Sequence, residues 1–197
     1  YGKYILKISD KKIVKQFNKN KILINNDKKI NNFILSKILN KKSNLFFDNI
    51  SIDSRTKQKG NLFVAIKGKR NNGNNFVNSA LLKGASGAIR STKLNNKKNT
   101  YYFKNTIKFL KLFGSLKRDL SNSTFIGVTG SSGKTTLKTM IGKVLSNFSS
   151  TYVSPKSYNN EFGVPLSLSN FRVKNKFCIF EIGMSKKGEI HKLSKMV

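Results

Sequence analysis

The sequence predicts an α/β protein, in which a small amino-terminal α/β domain is followed by the start of a doubly wound domain of the P-loop type. Two observations support this fold class. From Leu45 onward, short apolar runs alternate with helical patterns and polar turns. Further along, an apolar run at 125–129, a glycine-containing turn and an amphipathic helix follow one another, which is the order that opens a doubly wound domain.

The first part of the chain divides at about residue 45. Residues 1–44 are rich in Lys and Asn and show only weak helical spacing, so they receive no structural or chemical assignment. Residues 45–105 are predicted to form the small α/β domain. Its predicted elements are a strand at 62–66, a helix at 76–82 and further strands at 88–89 and 101–103.

Residues 106–197 are predicted to form the second domain. A helix is predicted from about Thr106 to the polar cluster 121–123, and strands are predicted at 125–129 and 177–182. The helix after the glycine turn carries its apolar residues on one stripe, namely Leu137, Met140, Ile141, Val144, Leu145 and Phe148. A last helix starts near Glu189. Because the chain begins with Tyr1 and ends at Val197 in a helical pattern, we expect a fragment whose second domain is truncated.

The charge of the chain allows two interpretations. With 39 Lys and Arg against 8 Asp and Glu, the formal net charge is +31, as in proteins that bind nucleic acids. The positive charge is, however, mostly Lys and is spread along the whole chain together with abundant Asn, whereas phosphate recognition relies on clustered Arg. We therefore favour a general bias in composition and expect no specific nucleic-acid partner.

Cysteine, histidine and apolar content exclude several classes of site. The single cysteine, Cys178, lies in an apolar run and is predicted to be a buried, inert thiol. The single histidine, His191, makes neither a metal cluster nor a catalytic dyad. No apolar stretch is long enough to cross a membrane, and no signal peptide is recognisable. We expect a cytoplasmic monomer without membrane insertion.

The strongest functional motif is a phosphate loop between the predicted strand 125–129 and the following helix. Two glycines let the backbone wrap around phosphate oxygens, Lys134 can reach the β and γ phosphates, and the Thr135 hydroxyl can bind Mg²⁺. The loop departs from the strict P-loop pattern because Val128 stands where the first glycine would be. The predicted ATP-binding residues are Gly130, Ser131, Ser132, Gly133, Lys134, Thr135 and Thr136.

This shortened loop resembles the ATP site of the Mur ligase family, which joins amino acids or dipeptides to a UDP-muramoyl precursor. A second segment supports the resemblance: Asp53-Ser54-Arg55, followed by a strand that ends in Lys67-Gly68. In the family, these positions bind the UDP part of the substrate, which implies that role for Ser54, Arg55, Lys67 and Gly68. This chain has Asn72-Gly73-Asn74 where the family often has Asp-Gly-His.

Two later segments extend the resemblance, which covers about residues 45–197. The run Asn159-Asn160-Glu161-Phe162-Gly163-Val164-Pro165-Leu166 is similar to the branch of the family that adds D-alanyl-D-alanine, and implies that Asn159 and Asn160 lie near the substrate phosphates. The run Glu181-Ile182-Gly183-Met184 resembles the strand end whose Glu coordinates Mg²⁺. The resemblance therefore implies Lys134 and Glu181 as catalytic residues, and Thr135 and Glu181 as metal ligands.

The implied reaction is ATP-dependent peptide ligation in peptidoglycan precursor synthesis. ATP activates the carboxylate of UDP-N-acetylmuramoyl-tripeptide as an acyl phosphate, and D-alanyl-D-alanine attacks it to form an amide. The family's carbamylated lysine, adenine contacts and amine-binding domain are expected beyond these residues, so we expect the 197-residue chain alone to be inactive. Two alternatives remain: a sister ligase with another amine, and a basic NTPase that binds nucleic acid.

Overall fold

The computed structural model describes residues 26–68, 71–93, 99–155, 158–184 and 186–197, and it contains two parallel β-sheets. Residues 1–25 of the unassigned segment lie outside the described residues. The remainder of that segment contains helix α1, Asp27–Leu39, which the side chain of Asn26 caps at its start. Three residues of α1, Ile30, Ile34 and Leu35, are fully buried in the first hydrophobic core. The weakly helical pattern thus belongs to a core helix.

The first sheet has four parallel strands in sequence order. They are β1 (Asn49–Ser51), β2 (Asn61–Val64), β3 (Gly87–Arg90) and β4 (Thr100–Tyr102). A 3₁₀ turn, Gly73–Phe76, leads into helix α2, Val77–Leu82. The strands and helix predicted between residues 62 and 103 are confirmed with shifts of one or two residues. Strand β1 was not predicted, because three residues are too few to show a period.

Helix α3, Thr106–Asp119, connects the first sheet to the rest of the molecule. Phe109, Leu110 and Phe113 are fully buried in the core of the first sheet. On its other side α3 packs against helix α5, Gly163–Asn170. The two helices meet at Gly114, where an added Cβ would lie 3.0 Å from Leu168 Cβ.

The second sheet has three parallel strands in the order β5, β7, β6. They are β5 (Thr124–Val128), β6 (Thr151–Val153) and β7 (Phe177–Glu181), and helices α4 (Lys134–Ser146) and α6 (Glu189–Ser194) complete this part. Strands 125–129 and 177–182 and the two helices are confirmed, as is the mixed α/β class with parallel sheets. The buried Cys178 also agrees with expectation.

Most of the apolar stripe of α4 does not face the sheet, although Ile141 and Leu145 are partly buried. Leu137, Met140 and Val144 are about half exposed or more, and so is Phe148 after the helix. The side of α4 that packs on β6 and β7 instead carries Gly142 and Lys138, both buried. An added Cβ at Gly142 would collide with Val153. Close packing through a glycine therefore sets the rotation of this helix.

Two polar contacts fasten the end of helix α5, one to β1 and one to α3. The Asn170 side chain at the end of α5 accepts a hydrogen bond from Ile50 N (2.7 Å) and donates one to Ile50 O (2.9 Å). Lys117 of α3 is buried, and its Nζ donates to Ser169 O (3.0 Å). Burial lowers the pKa of Lys117 to about 8, although Asp27 at 4.0 Å opposes the shift. Across the described residues, every helix is too short or too polar to span a bilayer.

We expect Asn170→Ala to destabilise the full-length protein by roughly 1–3 kcal/mol, because both backbone groups of Ile50 lose their partner. Urea unfolding measures the change. Asn122→Ala, at an exposed position between α3 and β5, is the matched control, with an expected change within about 0.5 kcal/mol. Equal effects of the two substitutions would contradict this role of Asn170.

Candidate active site

The predicted phosphate loop connects β5 to α4 at the carboxyl end of the second sheet. Gly133, the residue before α4, has a φ of 71°, in the left-handed region that favours glycine. Among the described residues, no side chain caps this helix, so its first N–H groups remain available. Free N–H groups and the positive end of the helix dipole favour an anion. The loop is therefore suited to hold phosphate.

Lys134 is the first residue of α4, and its side chain folds across the loop. Its Nζ donates to Gly130 O (2.8 Å) and lies 3.4 Å from Ser131 O. The ammonium group is thus held at the mouth of the helix amino terminus, where an anion would sit. Ser131, Ser132 and Thr136 are exposed around the same loop. The residues predicted to bind ATP share one surface, and their contact with ATP stays a prediction.

Glu181, the last residue of β7, lies beside this loop because β5 and β7 are neighbours with Val128 paired to Glu181. The carboxylate is only 2% exposed. Thr135 Oγ1 donates to Glu181 Oε2 (2.7 Å), and Lys138 Nζ lies 3.4 Å from the same oxygen. Asn159 Nδ2 donates to Oε1 (2.8 Å). Donors from α4 and from the loop before α5 therefore fix both carboxylate oxygens.

These partners determine the ionisation of Glu181. Burial alone raises the pKa of a carboxyl group, but the hydrogen bonds from Thr135 and Asn159 and the charge of Lys138 outweigh it, so the pKa of Glu181 is lowered. A lowered pKa in the folded state means that the ionised carboxylate stabilises the fold at neutral pH. That contribution is lost as the pH falls through the lowered pKa.

The donor set fits Mg²⁺ in a nucleotide site. Mg²⁺ prefers oxygen ligands and in such sites takes one or two carboxylates, with phosphates and water completing the shell. Thr135 Oγ1 and Glu181 Oε2 are oxygen atoms of the kind that ligate Mg²⁺, and they lie 2.7 Å apart next to the phosphate loop. Within the described ranges, no group of three or more His, Cys, Asp or Glu side chains is placed to hold a metal. A metal here would therefore depend on phosphate oxygens.

Asn159 links this site to the segment that precedes α5. Its carbonyl oxygen accepts a hydrogen bond from Gly183 N (2.7 Å), just after β7, while its side chain binds Glu181. An added Cβ at Gly183 would lie 2.8 Å from Asn159 Cγ, so the glycine permits this approach. Asn160, by contrast, uses its Oδ1 to accept from Phe162 N and Gly163 N at the start of α5. Contacts of either Asn with substrate phosphates stay predictions.

The residues predicted to bind the UDP group follow β1 and β2 at the carboxyl edge of the first sheet. The Arg55 guanidinium forms a bidentate ion pair with Asp53 (2.9 and 2.8 Å) and is exposed. The neighbouring Ser54 is buried, and its carbonyl accepts from Lys83 Nζ (2.9 Å). Lys67 and Gly68 are exposed in the turn after β2.

A cleft of about 360 Å³ separates this edge from the segment before α5. Its walls are Ile52, Ile66, Gly68 and Asn71 on one side, and Tyr158, Asn160, Phe162, Gly163 and Leu166 on the other. The structure therefore brings Gly68 and Asn160 to one cleft. Ser54, Arg55 and Lys67 are not among its lining residues.

One residue of the site, Lys138, was missed from the sequence. Its side chain is 3% exposed and pairs with Glu181. The only available signal was its spacing, since it lies three residues after Thr135 and thus on the same face of α4. In a chain with 39 basic residues, that spacing does not single out one lysine.

Comparison with known proteins gives matches over both parts of the chain. The model of the Mur ligase family, catalytic domain, matches residues 47–111, and that of the Mur ligase middle domain matches residues 128–197. The UDP-N-acetylmuramoyl-tripeptide--D-alanyl-D-alanine ligase of Rickettsia prowazekii is 30% identical over 150 residues, which is 75% of this chain and 33% of the relative.

Two solved structures have a similar fold. MurF from Acinetobacter baumannii superposes with a TM-score of 0.75 at 29% identity, over 84% of this chain and 38% of that protein. MurF ligase from Thermotoga maritima, in complex with ADP, gives a TM-score of 0.66 at 32% identity, over 79% of this chain and 36% of that protein. The chain spans about a third of the length of the curated relatives it matches.

We expect Gly133→Ala to weaken ADP binding by roughly tenfold, because a side chain in the left-handed region costs about 1–2 kcal/mol, and the free loop relieves this strain by leaving the conformation that presents its N–H groups to phosphate. The expected loss comes from backbone strain at the φ of 71° of Gly133. A steric clash does not contribute, because an added Cβ would meet no atom within 4 Å. Isothermal titration of the full-length protein with ADP measures the loss.

Gly188→Ala is the matched control. Gly188 also precedes a helix with a positive φ, 83°, and an added Cβ there would also meet no atom within 4 Å. It lies at the start of α6 instead of on the phosphate loop. We expect a similar backbone strain with unchanged ADP affinity, and equal losses of affinity in both variants would argue against the phosphate loop.

Proposed function

The chain belongs to the Mur ligase family, and on this premise we propose that it carries the UDP-substrate and ATP-binding parts of the ligase that joins D-alanyl-D-alanine to UDP-N-acetylmuramoyl-tripeptide. The two family models and the Rickettsia prowazekii relative support the proposal. Because this chain corresponds to about a third of such relatives, the complete reaction is proposed for the full-length protein.

The observation that carries this proposal is the position of the Asn159-to-Leu166 segment. At one end its Asn159 donates to the Glu181 carboxylate beside the phosphate loop. Its following residues line the cleft against the edge of the first sheet. A single segment thus connects the proposed ATP site to the proposed UDP-substrate site, as a reaction between ATP and a UDP-linked carboxylate requires.

In the proposed reaction, the terminal phosphate of ATP is transferred to the tripeptide carboxylate, and the amine of D-alanyl-D-alanine attacks the resulting acyl phosphate. The loop 130–136 binds the phosphates of ATP through N–H groups, and Lys134 neutralises their charge. Thr135 and Glu181 would hold Mg²⁺, which supplies further neutralisation. In this mechanism the protein forms no covalent intermediate; it orients the reactants and stabilises charge.

The UDP-linked substrate is proposed to lie along the carboxyl edge of the first sheet. Ligands of parallel sheets bind at this edge, and Ser54, Arg55, Lys67 and Gly68 all follow its strands. Arg55 offers a planar guanidinium for a phosphate, although Asp53 occupies it here. Asn160 faces the same cleft from the opposite wall. The cytoplasmic location and the monomeric state remain predictions.

The first test is phosphate release from ATP by the full-length protein. We expect release to require both UDP-N-acetylmuramoyl-tripeptide and D-alanyl-D-alanine, and to fall by about 100-fold or more in Lys134→Ala, because one stabilising group at the transferred phosphate is lost. Lys143→Ala, at an exposed position on the same helix, controls for the loss of one positive charge.

The outcomes separate the alternatives. If phosphate release requires another amine, the family assignment stands and the proposed substrate changes to that of a sister ligase. Release that is stimulated only by nucleic acid would overturn the ligase proposal and make the net charge of +31 the main indication of function.

A further inference from the structure

Helix α4 carries two lysines one turn apart with different partners. Lys134 Nζ bonds to carbonyl oxygens of the exposed phosphate loop. Lys138 Nζ lies 3.4 Å from Glu181 Oε2, in an ion pair whose two side chains are 3% and 2% exposed. The second lysine is therefore withdrawn from solvent and directed at the carboxylate proposed to bind metal.

In the absence of a metal ion, the charges of Lys138 and Glu181 cancel each other. Glu181 contributes one negative charge and Lys138 one positive charge, and both are desolvated. The described part of the chain brings no cluster of further carboxylates to this place. A divalent cation that approaches without nucleotide therefore meets a site of zero net charge, with an ammonium group next to the ligand oxygen. Its binding is opposed by the repulsion between the two cations.

Nucleotide phosphates change this balance. Bound at the neighbouring loop, they supply several negative charges, which attract the metal and outweigh the repulsion from Lys138. The Thr135 hydroxyl, 2.7 Å from Glu181 Oε2, lies in the first turn of α4, directly after the phosphate loop. Metal and nucleotide are thus coupled through charge.

We propose that Lys138 is a resident counter-ion of Glu181 that makes divalent metal binding conditional on bound nucleotide. The inference rests on the proposed function, since it concerns the same metal and ATP site. Lys138 is directed at Glu181 and acts through that carboxylate, so it is a positioning residue. Removing the charge of Lys138 leaves a buried carboxylate that keeps its hydrogen bonds from Thr135 and Asn159 but has no counter-charge, and such a group attracts a free cation more strongly.

The test is Mn²⁺ binding to the full-length protein, followed by the EPR signal of free Mn²⁺, first without nucleotide and then with ADP. For the wild type we expect weak binding of Mn²⁺ alone and at least tenfold tighter binding with ADP. For Lys138→Met we expect Mn²⁺ alone to bind roughly tenfold more tightly than to the wild type, and the effect of ADP on Mn²⁺ binding to shrink, because the phosphates no longer have the repulsion from Lys138 to outweigh.

Further variants separate the effect of charge from the effect of packing. Lys138→Arg keeps the charge and should behave as the wild type, whereas Lys143→Met removes an exposed charge from the same helix and should change nothing. In the double variant Lys138→Met with Glu181→Gln, the tighter binding of Mn²⁺ alone should disappear. Should Lys138→Met fail to fold, as judged by circular dichroism, Lys138→Gln provides a neutral side chain that retains a donor.

The possible results distinguish the two proposals. If ADP tightens Mn²⁺ binding in the wild type but a folded neutral variant binds Mn²⁺ alone no better than the wild type, the role of Lys138 is refuted and the proposed function stands. If ADP has no effect on Mn²⁺ in the wild type, the shared metal and nucleotide site itself is refuted.

Discussion

The ionised carboxylate of Glu181 is the interaction on which the arrangement of the site depends. A carboxylate with 2% exposure is costly unless it is paired and hydrogen-bonded. Here Thr135, Lys138 and Asn159 satisfy it, and they come from α4 and from the segment before α5. Because all three must reach one group, the predicted phosphate loop, the end of β7 and the start of the cleft beside the first sheet have fixed relative positions.

A second constraint is the packing of α3 between the core of the first sheet and helix α5. Its apolar face fills the core of the first sheet, and Gly114 lets α5 approach from the other side. Asn170 at the end of α5 then bonds to both backbone groups of Ile50 in β1. These contacts hold the carboxyl edge of the first sheet opposite the segment that carries Asn159. The cleft between them is a consequence of helix packing.

The net charge of +31 has little influence on this description. The groups that define the site are one buried ion pair, the Thr135 hydroxyl, the Asn159 amide, the Lys134 ammonium and a set of backbone N–H groups, and none requires a basic surface. Because lysine is so abundant, however, the lysines with a structural role cannot be recognised in the sequence. Lys117 and Lys138 are both buried with specific partners, and in the sequence they are indistinguishable from their exposed neighbours.

The sequence by itself determined the α/β class, most strands and helices, and the phosphate loop, because local periodicity and glycine spacing record these features directly. The resemblance to the Mur ligase family also predicted that Thr135 and Glu181 share one site, and their side chains form a hydrogen bond of 2.7 Å. Only the tertiary structure decided the burial of α1 in the first core and the rotation of α4, which turns Gly142 to the sheet and leaves Leu137 and Met140 exposed. The partners of Lys138 and Asn159 were likewise settled in three dimensions. The physical reason is that burial and pairing depend on residues more than 20 positions away in the chain, such as Asn159 and Glu181, which no local pattern encodes.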